Sequence, residues 1–153
     1  MYGKKFRFSL SSVLRVRSHE TDQAQKALAA ALKKRMAQEK KVAEAASDID
    51  RLQQGSVSLQ TAVTAAWLRQ ADGLRLDAQR RLGLEEKRLK HCLREEQQAR
   101  RDLVTRRSAE QALETLRDIE KQRFQQAEQY ADNKRLEEQA LDVFRRKNVA
   151  DKS

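Results

Sequence analysis

Along the first third of the chain, apolar and small residues return at alternating steps of four and three. Leu10, Leu14, Arg17, Thr21, Ala24, Leu28, Ala31, Arg35, Gln38, Val42, Ala45, Ile49 and Leu52 fall on this repeat, the 3.5-residue period that keeps one seam of a helix turned toward a partner. The small Ala24, Ala31 and Ala45 admit a close neighbour, whereas Arg35 and Gln38 weaken the middle of the seam. Ser9, Ser11 and Ser12 offer caps for the helix start. Gly55 before Ser56 reads as a stop, because glycine takes the left-handed conformation after a helix without penalty. The pattern predicts a helix over about 9–54.

The pattern then changes. Between Gly55 and Gly73 the segment holds the single tryptophan, Trp67, and almost no charge; it predicts a short helix over about Leu59–Gln70. A second long helix follows over about 74–146, with a tail over 147–153 and Gly83 a weak point costing about 1 kcal/mol relative to alanine. Its repeat is less regular. Leu82, Leu89, Leu93 and Leu103 form one stretch. A register change is expected near Ser108, after which Leu113, Leu116, Arg123, Ala127, Tyr130, Lys134, Glu137, Leu141 and Phe144 step by threes and fours, with Ile119 and Phe124 alongside. The chain contains no proline, so nothing removes an amide donor from either helix. These elements predict an all-α fold, a long antiparallel two-helix coiled coil with a short helix in the connection, as a single coiled-coil domain over 1–153. At 1.5 Å per residue the helices span about 65 and 105 Å, and the surplus is expected in a loop or tip around Trp67.

Composition agrees with a narrow buried stripe. Charged residues make up 37% and aromatics 5%, too few large side chains for a central core. The net charge of +10 points to acidic partners: protein, anionic lipid or nucleic acid. Acids and bases are interleaved, which is the pattern of a solvated face. The single Cys92 permits no intramolecular disulfide and suits a reducing compartment. With only His91 beside it and His19 far away, no metal-ligand set forms.

No apolar stretch approaches the roughly 20 residues that span a bilayer. The opening MYGKKFRFSLSSVLRVRSH has no acid before Glu20, as in an organellar transit peptide, yet Leu10, Val13, Leu14 and Arg17 run smoothly into the first helix and are read as its opening turns. Catalytic patterns are missing as well. The sequence offers neither a glycine-rich phosphate loop nor a nucleophile–histidine–acid set, so no enzyme activity, cofactor or small-molecule substrate is expected. The basic run from Arg80 to Arg107 is the best nucleic-acid candidate. Its interleaved Glu85, Glu86, Glu95, Glu96 and Asp102, with no aromatic for base stacking, weigh against that partner.

The opening FRFSLSSVLRVRSHETDQAQKALAAAL resembles the start of the FliJ family of flagellar export proteins: aromatic-basic-aromatic, then Leu10, Val13, Leu14 and Arg17, then acids before Ala24 and Leu28. The glycine-punctuated connection with Trp67, the run from Leu113 to Leu116 and the run from Leu136 to Asp142 are similar to that family too. The resemblance implies an antiparallel coiled coil that inserts into the pore of the hexameric flagellar export ATPase, contacts the membrane export gate and handles export chaperones, in the cytoplasm at the inner membrane. The stalk proteins of virulence-type secretion share that shape, and a general coiled-coil scaffold with weak nucleic-acid binding is the alternative outside this class.

On that resemblance, Phe6, Phe8, Leu10, Leu14 and Arg15 with Leu141, Phe144, Arg145 and Arg146 are the candidate ATPase-binding end, their positive charge suiting acidic loops. The plainer reading of Phe6 and Phe8 is a hydrophobic staple on a basic terminus. Trp67, Ala71, Leu74 and Ala78 are spaced by fours and threes and share one helical face. They are the candidate export-gate surface, against the plainer reading that they pack the short helix onto the second long one.

Overall fold

The computed structural model describes residues 5–58 and 64–150, all of which form or flank two long helices that pack against each other. Helix α1 runs Ser11–Ser58 and α2 runs Ala65–Ala150. The chain clusters into two compact units, one of residues 19–107 and one of residues up to 18 together with those from 108 onward.

Both helices start on identifiable hydrogen bonds. The Ser11 amide donates to the Phe8 carbonyl at 3.3 Å, and Leu14 to Leu10 at 2.9 Å. At α2, the Trp67 amide donates to Thr64 Oγ at 3.3 Å and Leu68 to the Thr64 carbonyl at 3.2 Å. Thr64 is thus the residue before the first turn whose side chain satisfies an otherwise orphaned amide.

The connection is shorter than the sequence predicts. Helix α1 passes through Gly55 to Ser58, and no separate short helix is found among the described residues. Ala65 to Gln70 are the opening turns of α2, while Leu59 to Val63 lie outside the described residues. Helix α2 continues through Gly73 without interruption and past Arg146 to Ala150. Neither Gly55 nor Gly73 takes the left-handed backbone, and a Cβ at either would meet nothing within 4 Å. A lone glycine costs a helix about 1 kcal/mol, too little to end one that is proline-free on both sides.

In the unit of residues 19–107 the ion pairs show the strand sense directly. Glu20 meets Arg106, Lys34 meets Glu95 and Asp48 meets Arg81, so the partner's number falls as α1 advances, and the pairing is antiparallel. The α1 seam is as its period predicts: every position of the repeat from Leu10 to Ile49 is buried or half-buried. On α2 a line of covered positions runs through Ala78, Leu82, Glu85, Leu89, Cys92, Glu96, Ala99 and Leu103, then Glu110, Leu113, Arg117, Glu120, Phe124 and Glu128. As far as Phe124 they keep one alternation of threes and fours on both sides of Ser108, so the expected register change is absent there. Leu93, Leu116 and Ile119, assigned above to or beside the seam, are 45%, 37% and 42% exposed. The reason is chemical. This seam places Glu85, Glu96, Arg117 and Glu120 where apolar residues are usual, so following leucines leads off it.

Among the described residues no large side chain is fully buried; the best covered are small or polar, Thr21, Gln38, Ala45, Cys92 and Glu96. Past Glu128 every α2 residue from Gln129 to Asn148 is exposed. The unpaired length of α2 is therefore its C-terminal end, not a tip around Trp67.

Candidate functional site

Three places on the molecule gather the residues singled out by sequence. The first is the paired end of the unit that contains the N-terminus. Phe8 is buried, and the Phe6 ring meets the Phe124 ring with centroids 5.7 Å apart and planes at 52°, a tilted contact that aromatic quadrupoles favour. Leu10 and Leu14 are half-buried behind them and Arg15 faces solvent. The two phenylalanines therefore close the end of the helix pair.

The second is the free end of α2. Leu141 and Phe144 are 55% and 63% exposed, and Arg145 and Arg146 are exposed beside them. The fold does not bring these residues to Phe6 and Phe8. Phe124, which Phe6 touches, lies 20 positions before Phe144, about 30 Å along the same helix. The expected single end made of both termini is thus two separate surfaces. Tyr130, Leu136 and Val143, at 74%, 63% and 55% exposure, add to the apolar character of the free end, and sequence reasoning left Leu136 and Val143 out. At 100° per residue, Tyr130, Leu136, Ala140, Val143 and Phe144 share an arc of about 140° that lies away from the seam. The seam positions continue as Ala131, Lys134, Glu138 and Arg145, which are mostly polar. The period-seven reading hid this change of face.

The third is near the connection. Trp67, Ala71 and Leu74 line a groove of about 330 Å³ with Arg51, Leu52 and Gly55 of α1. Trp67, Ala71 and Ala78 are half-buried and Leu74 is 53% exposed. Ala78 belongs to the adjoining hollow with Asp48 and Arg81. Packing between the helices and an open groove of mixed lining, with Arg51, Gln70, Asp72 and Arg75 beside the apolar residues, coexist here.

A polar cluster occupies the middle of the unit of residues 19–107. Arg35 Nε meets Glu96 Oε2 at 2.6 Å as an ion contact off the hydrogen-bonding alignment, its Nη1 donates to Glu39 at 2.6 Å, and Arg100 reaches Glu96 Oε1 at 2.6 Å. The Gln38 amide donates to both the carbonyl and the carboxylate of Glu85, which also receives Arg88 at 2.7 Å. Lys34 donates to Glu95 at 2.7 Å. The Gln38 bond, then the charges of Arg88 and Lys41, hold the Glu85 carboxyl below its ordinary value. The Lys34 bond and charge do the same to Glu95 and raise Lys34 in turn. These are structural ion pairs in and beside the seam between the helices. Among the described residues no cluster of histidine, cysteine and carboxylates could hold a metal ion, and no helix is long and apolar enough to cross a membrane.

The fold is an all-α two-helix coiled-coil hairpin. The model of the flagellar FliJ protein family matches residues 6–149, and the chain belongs to that family: it is a coiled-coil protein related to flagellar export. No curated protein and no solved structure matches the chain.

Proposed function

We propose that this chain is the non-catalytic stalk and adaptor of the flagellar export apparatus, acting in the cytoplasm at the inner membrane. The observation that carries the reading is the free end of α2, in which every residue from Gln129 to Asn148 is exposed and Tyr130, Leu136, Leu141, Val143 and Phe144 face solvent. A long unpaired helix with that much apolar surface fits a groove or a ring that would cover it. The hexameric export ATPase is the partner proposed for it, with Arg145 and Arg146 beside acidic loops and the Phe6–Phe8 end close to the rim. An asymmetric helix inside a near-symmetric ring makes different contacts with different subunits and so favours different nucleotide states among them. The groove at Trp67, Ala71 and Leu74 is the proposed contact for the membrane export gate, and export chaperones are the third proposed partner. The family match favours the flagellar over the virulence-type apparatus.

The test is ATP turnover of the flagellar export ATPase as a function of its concentration, with and without this chain. The stalk reading expects activity to appear at lower enzyme concentration when the chain is present. A chain truncated after Ala140 should lose this effect while keeping its helix-pair melting. Unchanged turnover and unchanged ring assembly with the full chain would refute the reading.

A further inference from the structure

Ten basic residues lie between Arg80 and Arg107, and the fold sorts them. Arg80, Arg81, Arg88, Arg100 and Arg106 each meet a carboxylate. Lys87, Lys90, Arg94, Arg101 and Arg107 are exposed and make no ion pair among the described residues. Arg80, Lys87, Arg94 and Arg101 are seven positions apart, one heptad position repeated four times, and Lys90 lies next to their line. At 100° per residue this line falls about 175° from the seam of Leu89, Cys92, Glu96 and Ala99, so it runs along the outer side of α2 for about 31 Å. No carboxylate lies within it: the nearest, Glu86 and Asp102, sit at its borders. Leu93 and Val104, 45% and 68% exposed, follow one edge.

We propose that this stripe docks an acidic helix of a partner protein, one that presents carboxylates at the same seven-residue spacing. Cations in heptad phase beside exposed apolar residues are what one helix shows another in a coiled coil, where apolar contact gives area and flanking charge sets the choice of partner. A second copy of this chain is a poor occupant, because each carries +10 and the stripes would repel. A phosphate backbone would leave Leu93 and Val104 uncovered and finds no aromatic ring on the stripe to stack on. Two apolar residues are too few to hold a helix in a bilayer surface. The inference stands apart from the stalk reading, since the stripe is on the middle of α2 and its test needs no ATPase.

The probe is a fluorescein-labelled four-heptad helical peptide with glutamate at every seventh position and leucine beside it, titrated with the full chain and followed by anisotropy. A peptide of identical composition with its glutamates out of phase is the comparison. The in-phase peptide should bind about tenfold tighter than the out-of-phase one, and the Arg94→Glu/Arg101→Glu variant should bind it about tenfold more weakly. Binding should also weaken as salt rises. Neither side chain makes an ion pair among the described residues, so the variant should keep the parent's circular dichroism and melting; the milder Arg94→Gln/Arg101→Gln variant gives the same reading if it does not. Equal binding of the two peptides, or undiminished binding by a folded variant, overturns the proposal. So does tighter, Arg94- and Arg101-dependent binding of a DNA duplex or of phosphatidylglycerol vesicles.

Discussion

Glu96 is the most exacting place to perturb the hairpin. Its residue is 6% exposed, it faces α1 in the middle of the seam, and it receives Arg35 Nε and Arg100 Nη2 at 2.6 Å each. Glu96→Ala removes both contacts and leaves the Arg35 guanidinium, 26% exposed, with Glu39 alone. Breaking a fully buried pair costs about 3–5 kcal/mol, and hydrogen bonds to charged groups are worth about 1.5–3 kcal/mol. The Arg100 side chain is 62% exposed, so its contact adds less than about 1 kcal/mol. Arg35 keeps some water and a second carboxylate, so a loss of about 2–3 kcal/mol is expected, a fall in Tm of about 4–12 °C. The apolar pair Arg35→Leu/Glu96→Leu removes both charges together and should be neutral or up to about 2 kcal/mol more stable than the parent. Urea unfolding followed by far-ultraviolet circular dichroism measures all three chains. A Glu96→Ala midpoint within about 0.5 kcal/mol of the parent, or a double variant less stable than Glu96→Ala, would refute the view that this pair matters through uncompensated charge.

The seam itself predicts unequal effects for two leucines: half-buried Leu28→Lys should cost about 1–3 kcal/mol, whereas Leu116→Lys, at 37% exposure, should cost less than about 1 kcal/mol. Equal losses in thermal melts would mean the register on α2 is wrong. Glu85 and Glu95 have folded values below the ordinary 4.5, so their contribution is present above that value and is lost as pH falls through the lower, folded values. Lys34, raised above 10.5, behaves in the opposite sense: its contribution is present below 10.5 and is lost as pH rises through the raised value. A Tm measured against pH should be level near neutrality and decline at both extremes, and Gln38→Leu should flatten the acid limb. Finally, a double-mutant cycle on Phe6→Leu and Phe124→Leu should give a coupling of about 0.5–1.5 kcal/mol; no coupling would remove the ring contact from the account of that helix end.

The first helix was legible because its buried face is written in the residues that usually mark one. Leu14, Leu28, Val42 and Ile49 set the phase, and Thr21, Arg35 and Gln38 follow it into cover. On α2 the same rule misleads, because the covered face carries Glu85, Glu96, Arg117 and Glu120 while Leu93, Leu116 and Leu136 face water. Each of the first two covered acids has its partner across the seam on α1, Gln38 for Glu85 and Arg35 for Glu96. A single strand of sequence does not display such a pairing. The glycines misled for a different reason: their freedom permits a turn without requiring one, and helix continues through both. Of the candidate surfaces, Trp67, Ala71 and Leu74 do line one groove, as their spacing suggests. Phe6 and Phe8 do not meet Leu141 and Phe144, since that depends on where α1 begins relative to the length of α2. The Thr64 cap was visible in principle, as a threonine directly before Ala65, Ala66 and Trp67.

The exposed end of α2 also has a consequence for the order of folding and for hydrogen exchange. An isolated helix of about 20 residues is marginal in water because its first turn is costly to start. Here that start is already made by the residues paired with α1, so the stretch after Glu128 extends a helix that exists and needs no nucleus of its own. Its amides should exchange fastest near Asn148 and more slowly toward Phe124, with opening free energies far below that of the helix pair. A partner that captures this stretch would slow that exchange without altering the hairpin's unfolding, because melting and re-forming these turns leaves every seam contact of α1 in place.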